Sequence, residues 1–342
     1  MSSTVLYRKH RPSSWREVIG QDHIVKLLAD SVNSGKISHA YLFSGSRGTG
    51  KTSVARILAQ SLKISIEDIT EIDAASNRGI DDIKALREHV SVLPFSSKYK
   101  VYIIDEVHML SKDAWNALLK TLEEPPAHVI FILATTELAK VPDTIISRCQ
   151  AFVFRKPSRD LLRTHLEEIA IKEKYTLDPG AADLIALLSE GSFRDALGIL
   201  EQVMASVTGS KISRQDVESV TGAPRAELAN RFIEGLLAKD SEVSLGALAQ
   251  AEKLGVSMTT FMTLILETAR SILLVQHAPN LSQTVQDRVS ADDWSFISAQ
   301  ARLKVMTPST LVILLESAEA LKRAAIEVLP IELAVVRITE KM

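Results

Sequence analysis

The sequence predicts an α/β open sheet of parallel strands followed by helical domains. Three observations predict it. Short apolar runs alternate with helical patterns through residues 1–160. Those runs are nearly continuous in apolar residues, as in VYII and VIFIL, which suits strands buried on both faces. From Pro157 onward the strand signals vanish and helical periodicity takes over.

In chain order, the strand candidates are AYLFSG (40–45), DITEIDA (68–74), YKVYIIDE (99–106), HVIFILATTE (128–137) and AFVF (151–154). Helices are expected between them. One follows the glycine-rich GSRGTGKT (45–52), one covers IDDIKALREHVSVL, and one covers SKDAWNALLKTLEE, which Pro125 and Pro126 end. Alternation of this kind is the pattern of an open α/β sheet. Residues 158–220 read as short helices, clearest in DPGAADLIALLSEG and SFRDALGILEQVMAS. Gly209 and Gly222 punctuate the chain, and residues 224–342 read as a longer helical block. The expected domains are therefore 1–157, 158–220 and 221–342.

Composition excludes several classes. The chain has 342 residues, 46% of them hydrophobic and 24% charged, ordinary values for a globular protein with a large core. Forty basic residues against 42 acidic ones give a formal charge of −2, so no global basic field advertises nucleic acid. A DNA contact would have to come from a local patch or from pooled subunits. The start, MSSTVLYRKHRP, has no apolar signal-peptide core. FMTLILETARSILLV, the longest apolar run, is broken by Glu267 and Arg270 and reads as too short and too charged to cross a membrane. The single cysteine, Cys149, leaves neither an internal disulfide nor a cysteine-based zinc site. A cytoplasmic protein is expected, with no membrane partner and no zinc.

GSRGTGKT matches G-x-x-x-x-G-K-[ST] at Gly45, Gly50, Lys51 and Thr52. The match falls between a strand and a helix, where backbone N–H groups and the helix N-terminus can cradle phosphate. The loop Gly45, Ser46, Arg47, Gly48, Thr49, Gly50, Lys51, Thr52, Ser53 is the candidate ATP site. Lys51 would reach the β- and γ-phosphates, and Thr52 would ligate Mg²⁺. VYIIDE supplies the acidic partner: Asp105 for Mg²⁺, and Glu106 to polarise the attacking water. Thr135 and Thr136 end the next apolar strand. A polar group there can sense the γ-phosphate, although threonine at a strand end is common without any such role. Arg148 in ISRCQAF can serve a phosphate of a neighbouring subunit or be a plain surface arginine. Arg194 in GSFRDAL stands near the start of a helix that can deliver it to the nucleotide.

These stretches resemble the AAA+ clamp-loader ATPases, most closely the gamma/tau subunits of the bacterial DNA polymerase III holoenzyme. The likeness runs through YRKHRPSSWREVIGQDHI, HAYLFSGSRGTGKTSVARILA, EIDAASNRGIDDI, DEVHMLSKDAWNALLKTLEEPP, ATTELAKVPDTIISRC and GSFRDAL, and more loosely through RAAIEVLPIELAVVRITE. It implies a P-loop AAA+ core, a helical lid and an all-α collar. It also implies that Arg148 is the arginine finger, Thr136 the sensor on the fourth strand, and Arg194 the lid sensor. The adenine pocket would involve Arg11, Pro12, Val18, Ile19 and Leu197, and Arg78 would touch DNA phosphate. The implied partners are other clamp-loader subunits in a pentameric homo- or hetero-oligomeric assembly, a sliding clamp and primer–template DNA.

The sequence departs from that family at SLKISIEDITEIDAA, where the usual four-cysteine zinc module is missing. The chain also stops just after the collar, as expected of a form without the long tail that binds polymerase and helicase. The function expected is an ATP-driven motor that loads a clamp during replication. Holoenzyme membership can bring a DNA polymerase label, but no second carboxylate cluster offers a polymerase site. Other readings are a replication factor C-like small subunit, a branch-migration or other DNA-remodelling AAA+ ATPase, and a non-hydrolysing structural subunit. EIDAASNRG, the Ser-Arg-Cys motif and the intact loop with Glu106 argue against these in turn.

Overall fold

The computed structural model describes residues 5–76, 86 and 88–340. Cα packing divides the chain into two compact units. The first runs to Leu161 and takes in Gly191–Leu197; the second holds Leu162–Glu190 and the chain from Gly198 onward.

The first unit is built on five parallel strands, β1 (Ala40–Ser44), β2 (Ile69–Asp73), β3 (Lys100–Asp105), β4 (Val129–Thr135) and β5 (Gln150–Val153). Their order in the sheet is β2-β3-β4-β1-β5. All five expected strands form, with ends within two residues of those expected; β5 starts one residue earlier, at Gln150. The reason lies in the side-chain alternation of a strand, which sends successive residues to opposite faces. Tyr41, Phe43, Val101, Ile103, Ile130 and Ile132 enter one core. It is closed by Ile24 and Leu28 of helix Asp22–Ser34 and by Val54 and Leu58 of helix Lys51–Ser61. Leu42, Tyr102, Ile104, Phe131 and Leu133 enter the other core, under Trp115, Leu118 and Leu122 of helix Lys112–Glu123. Each such side chain contributes about 1.5–3 kcal/mol when buried, so a run with apolar residues on both faces is stable only when helices cover both. Ser111 starts helix Lys112–Glu123 by accepting a bond from Ala114 N–H. The helix stops before Pro125, as its sequence predicts. Of the helix expected over 80–93, residues 80–85 and 87 lie outside the described residues, and 86 and 88–90 are helical.

The second unit is helical, with a difference from the sequence reading. Thr176–Leu177 and Lys211–Ile212 pair as a two-residue parallel bridge, so strand pairing does not end at Pro157. Two residues leave no periodicity for a sequence to display. Helix Pro179–Leu188 forms where expected, as does helix Phe193–Ser206, whose residues to Leu197 belong to the first unit, and Ser213 opens helix Arg214–Thr221 with a capping box to Asp216. Six longer helices follow, from Ala226–Ala238 to Leu329–Thr339.

One of them corrects the sequence reading. Helix Met258–His277 has 20 residues and is long and apolar enough to cross a membrane by length and composition. The helical period puts Met258, Phe261, Met262, Ile265, Ala269 and Ile272 inside. They pack against helices Ala226–Ala238, Ala291–Leu303 and Pro308–Leu321, with Phe261 edge-on to Phe232 at 5.6 Å. One face of the apolar helix is thus used for packing within the helical unit.

Candidate nucleotide site

Because all five strands are parallel, their carboxyl ends lie on one edge, the usual location of ligands in open α/β sheets. β1 ends at Ser44 beside Thr135 of β4, and Gly45 N–H continues the ladder to Thr135 O at 3.2 Å. The glycine-rich loop begins there. Gly45 has φ +146°, and any Cβ would collide with Phe154 O. Gly48 has φ +73°, and a Cβ would collide with Ser192 Oγ. Both positions demand glycine for space as well as conformation. Thr49 is buried, and its hydroxyl donates to Ser46 O at 2.8 Å, tightening the loop. Arg47 is exposed, and Ser53 is half-buried in the first helical turn.

Lys51 is 6% exposed and donates from Nζ to Gly45 O at 2.8 Å and Ser46 O at 3.0 Å. Burial lowers its pKa from the ordinary lysine value, with Glu106 and Asp105 acting in the opposite direction. Thr52 Oγ1 donates to Asp105 Oδ2 at 2.8 Å. Two features fit a polyphosphate with a divalent cation. Ser46 Oγ is buried without a hydrogen-bond partner among the described residues. Among the described residues, no side chain caps the N-terminus of helix Lys51–Ser61, so its first-turn N–H groups are available for an anion. The hydroxyl–carboxylate pair of Thr52 and Asp105 is a hard-oxygen donor set suited to Mg²⁺.

Glu106 follows β3 in the left-handed region, φ 48° and ψ 44°, unusual for a residue with a side chain. Its Oε2 accepts from Thr136 Oγ1 at 2.9 Å and Thr136 N at 3.3 Å. Thr136 lies one residue past β4. The lysine, threonine, carboxylate pair and second threonine expected from sequence therefore converge.

Arg194 joins them in the same compact unit. Phe193 N–H donates to Gly48 O at 3.0 Å, fixing the start of helix Phe193–Ser206 on the loop. The Arg194 guanidinium lies over the Tyr7 ring at 5.7 Å, and Arg8 lies over the same ring at 5.9 Å. Arg11 is half-buried; burial first, then Arg56, lowers its pKa, with Arg194 and Arg8 adding to the effect and Glu71 opposing it. The corner is thus a concentration of positive charge. Pro12, Val18 and Ile19 are half-buried in the same N-terminal segment, which Gln21 ties to Arg155 through both its amide atoms. Leu197 is buried one turn beyond Arg194.

Arg148 is elsewhere. Its Nη1 donates to Thr144 O at 2.7 Å and its Nη2 to Glu123 Oε1 at 2.8 Å, and neither partner belongs to the loop or to the Asp105–Glu106 corner. Arg78 lies outside the described residues. Sequence reasoning missed Tyr7, His108, Glu123, Glu137 and Ser192. His108 carried a faint signal as a polar residue in the otherwise apolar VHML that follows Glu106.

The fold and this corner define a P-loop protein of the AAA+ class. Solved structures agree on the fold: the RuvB Holliday junction branch migration motor of Thermotoga maritima superposes with a TM-score of 0.53 at 20% identity, covering 86% of this chain and 91% of that one. A family model described as DNA polymerase III, delta subunit, matches residues 20–77 and 63–158. A second, described as the DNA polymerase III clamp loader subunit ATPase lid domain, matches 161–209. DNA polymerase III subunit tau of Bacillus subtilis is 40% identical over 314 residues, 86% of this chain and 55% of the relative. Subunit tau of Escherichia coli K12 is 39% identical over 300 residues, 82% of this chain and 46% of the relative. The gamma/tau subunit of Mycoplasma genitalium is 41% identical over 279 residues, 75% and 47% respectively. The chain belongs to the gamma/tau family of DNA polymerase III subunits. It spans about half the length of the relatives it matches.

Proposed function

We propose that the chain is an ATP-driven clamp-loader motor subunit, working in the cytoplasm with other loader subunits in a pentameric assembly. It opens a sliding clamp and loads it on primer–template DNA. The observation that carries this reading is the joining of Lys51, Thr52, Asp105, Glu106 and Thr136 at one strand edge, in a chain of the gamma/tau family. A subunit that only scaffolds has no need of this set.

In this reading the loop amides of 45–53 and Lys51 bind the triphosphate, and Lys51 exchanges its carbonyl partners for phosphate oxygens. Thr52 and Asp105 hold Mg²⁺, which when bound neutralises phosphate charge. Glu106, oriented by Thr136, accepts the proton of the attacking water. Arg194 contacts the nucleotide of its own chain, Arg11, Pro12, Val18, Ile19 and Leu197 border the adenine, and Arg148 leaves Glu123 to meet a neighbour's γ-phosphate. Arg78 touches DNA backbone. The three-part division at 157 and 220 belongs to the same reading, as core, lid and collar.

The test is ATP turnover by the full chain, alone and with its loader partners, with and without a sliding clamp and primed DNA. Clamp and DNA together should stimulate wild type, and Glu106→Gln should lose two or more orders of magnitude in rate, the typical contribution of a general base. Absence of stimulation removes the clamp-loading reading; wild-type turnover in Glu106→Gln removes Glu106 from the chemistry.

A further inference from the structure

His108 has no role in the site as read from the sequence, yet its surroundings are unusual. The side chain is 6% exposed. Its Nδ1 shares a 3.0 Å hydrogen bond with Thr135 Oγ1 and lies 3.4 Å from Glu106 Oε2. Its Nε2 lies 3.3 Å from Glu137 Oε1. The ring therefore spans two carboxylates and a hydroxyl, one edge toward the Glu106 turn and the other toward the segment after β4.

Each of those partners is itself fixed. Thr135 ends β4, its carbonyl accepts Gly45 N–H, and its hydroxyl accepts Glu137 N–H at 3.0 Å. Glu137 is paired with Lys140 at 2.8 Å. Thr136 holds Glu106 Oε2 through both its N–H and its hydroxyl. Glu106 has a left-handed backbone, a conformation that costs of order 1–3 kcal/mol and persists only where neighbours over-determine it. All three contacts named here fall on Oε2. A general base needs one oxygen held and the other presented.

We infer that His108 is a positioning residue for Glu106. It clasps the strained turn after β3 to the end of β4, so that the carboxylate and Thr136 keep one arrangement. The inference rests on the reading of Glu106 as the general base. Histidine suits the task because its two ring nitrogens reach in opposite directions from a short, stiff side chain. Asparagine can put a polar atom where Nδ1 is, and glutamine one where Nε2 is.

The experiment compares His108→Ala, His108→Asn and His108→Gln in the full chain, with Glu106→Gln as reference. Three quantities are read: fluorescent-ATP affinity, kcat, and amide exchange by mass spectrometry of nucleotide-free protein over 104–110 and 134–140. His108→Ala should bind ATP within about twofold of wild type and lose roughly 5–30-fold in kcat, the loss expected from one or two hydrogen bonds. Both peptides should lose protection together. His108→Asn should recover most of the rate and the protection, and His108→Gln less of either. Wild-type kcat in all three variants, beside a dead Glu106→Gln, overturns the inference and leaves the base assignment standing. Equal failure of Asn and Gln with a lowered melting temperature also overturns it, by making the ring a packing element only. If Glu106→Gln turns over normally, the base assignment fails, and joint loss of protection in the two peptides still decides whether the clasp exists.

Discussion

Gly48→Ala tests whether the phosphate loop and the segment carrying Arg194 are built as one piece. Gly48 has φ +73°, where an alanine pays about 1–2 kcal/mol relative to its preferred region. Its added Cβ would overlap Ser192 Oγ and stand 2.9 Å from Ser192 Cβ and 3.3 Å from Ser192 Cα. Ser192 is buried, so it has little room to yield, and overpacking of this kind costs about 1–3 kcal/mol. Together the single substitution should cost roughly 2–5 kcal/mol. Replacing Ser192 by glycine removes the two nearer atoms and leaves only Cα at 3.3 Å. It also deletes the hydroxyl that accepts Asp195 N–H at 3.2 Å, a loss of about 1 kcal/mol. Gly48→Ala/Ser192→Gly should therefore be more stable than the sum of its parts by about 1–2 kcal/mol, the clash being shared. Denaturant unfolding of the four proteins gives the cycle, and fluorescent-ATP titration gives the functional counterpart. Affinity should fall at least tenfold in Gly48→Ala, because the shift moves both the loop amides and the Gly48 carbonyl that holds Phe193. A Gly48→Ala protein within about 0.5 kcal/mol of wild type and with unchanged affinity would refute the close approach, since surface changes alone fall in that range.

Three further predictions concern other parts of the molecule. Asp68 is buried, and burial alone would raise its pKa, but hydrogen bonds from Phe95, Ser96 and Ser97 hold it below the ordinary value. Because the folded pKa is depressed, its contribution is complete above the unfolded value of about 4 and is lost as pH falls through the folded one. Asp68→Asn should thus lose about 1–3 kcal/mol at pH 7, and melting curves of mutant and wild type should converge at acid pH; a gap independent of pH speaks against it. Partial burial pushes the Cys149 thiol up to about 11, so at pH 7–8 the folded chain should react with maleimide markedly more slowly than the denatured chain, whereas equal labelling rates contradict the raised pKa. For Arg148, mixing Arg148→Ala with Glu106→Gln, each inactive alone, should restore part of the ATPase rate through one composite interface; demonstrated co-assembly without recovery excludes a trans finger, a group worth about 10³–10⁵ in rate.

Much of the first unit is legible in the chain because its constraints are local. A parallel strand buried on both faces must be apolar at every position, and Tyr41–Phe43, Val101–Ile104 and Val129–Ala134 are so. A loop that wraps phosphate must bring glycines, a lysine and a hydroxyl together within a few residues, which is why 45–52 reads directly. Asp105 and Glu106 read because they terminate an apolar run. The two-residue pairing of Thr176–Leu177 with Lys211–Ile212 escaped, since neither segment has a period of its own. The length of helix Met258–His277 escaped as well, since Glu267 and Arg270 interrupt the pattern while the buried face continues past them.

What the sequence by itself determined is therefore the strand set, the phosphate loop, the acidic pair and the family motifs. All are contiguous, and their physics depends on neighbours in the chain. Only the tertiary structure decided how these pieces are held. Thr136 reaches Glu106 across 30 positions, Glu123 takes Arg148 across 25, and His108 bridges Glu106, Thr135 and Glu137. Gly191–Leu197 joins the first unit although its helix continues into the second, because Phe193 bonds to Gly48 and Arg194 stacks on Tyr7. A hydrogen bond or ring contact between residues far apart in the chain leaves no periodicity and no composition in either segment, so it exists only once parallel strands and their covering helices have set the distances.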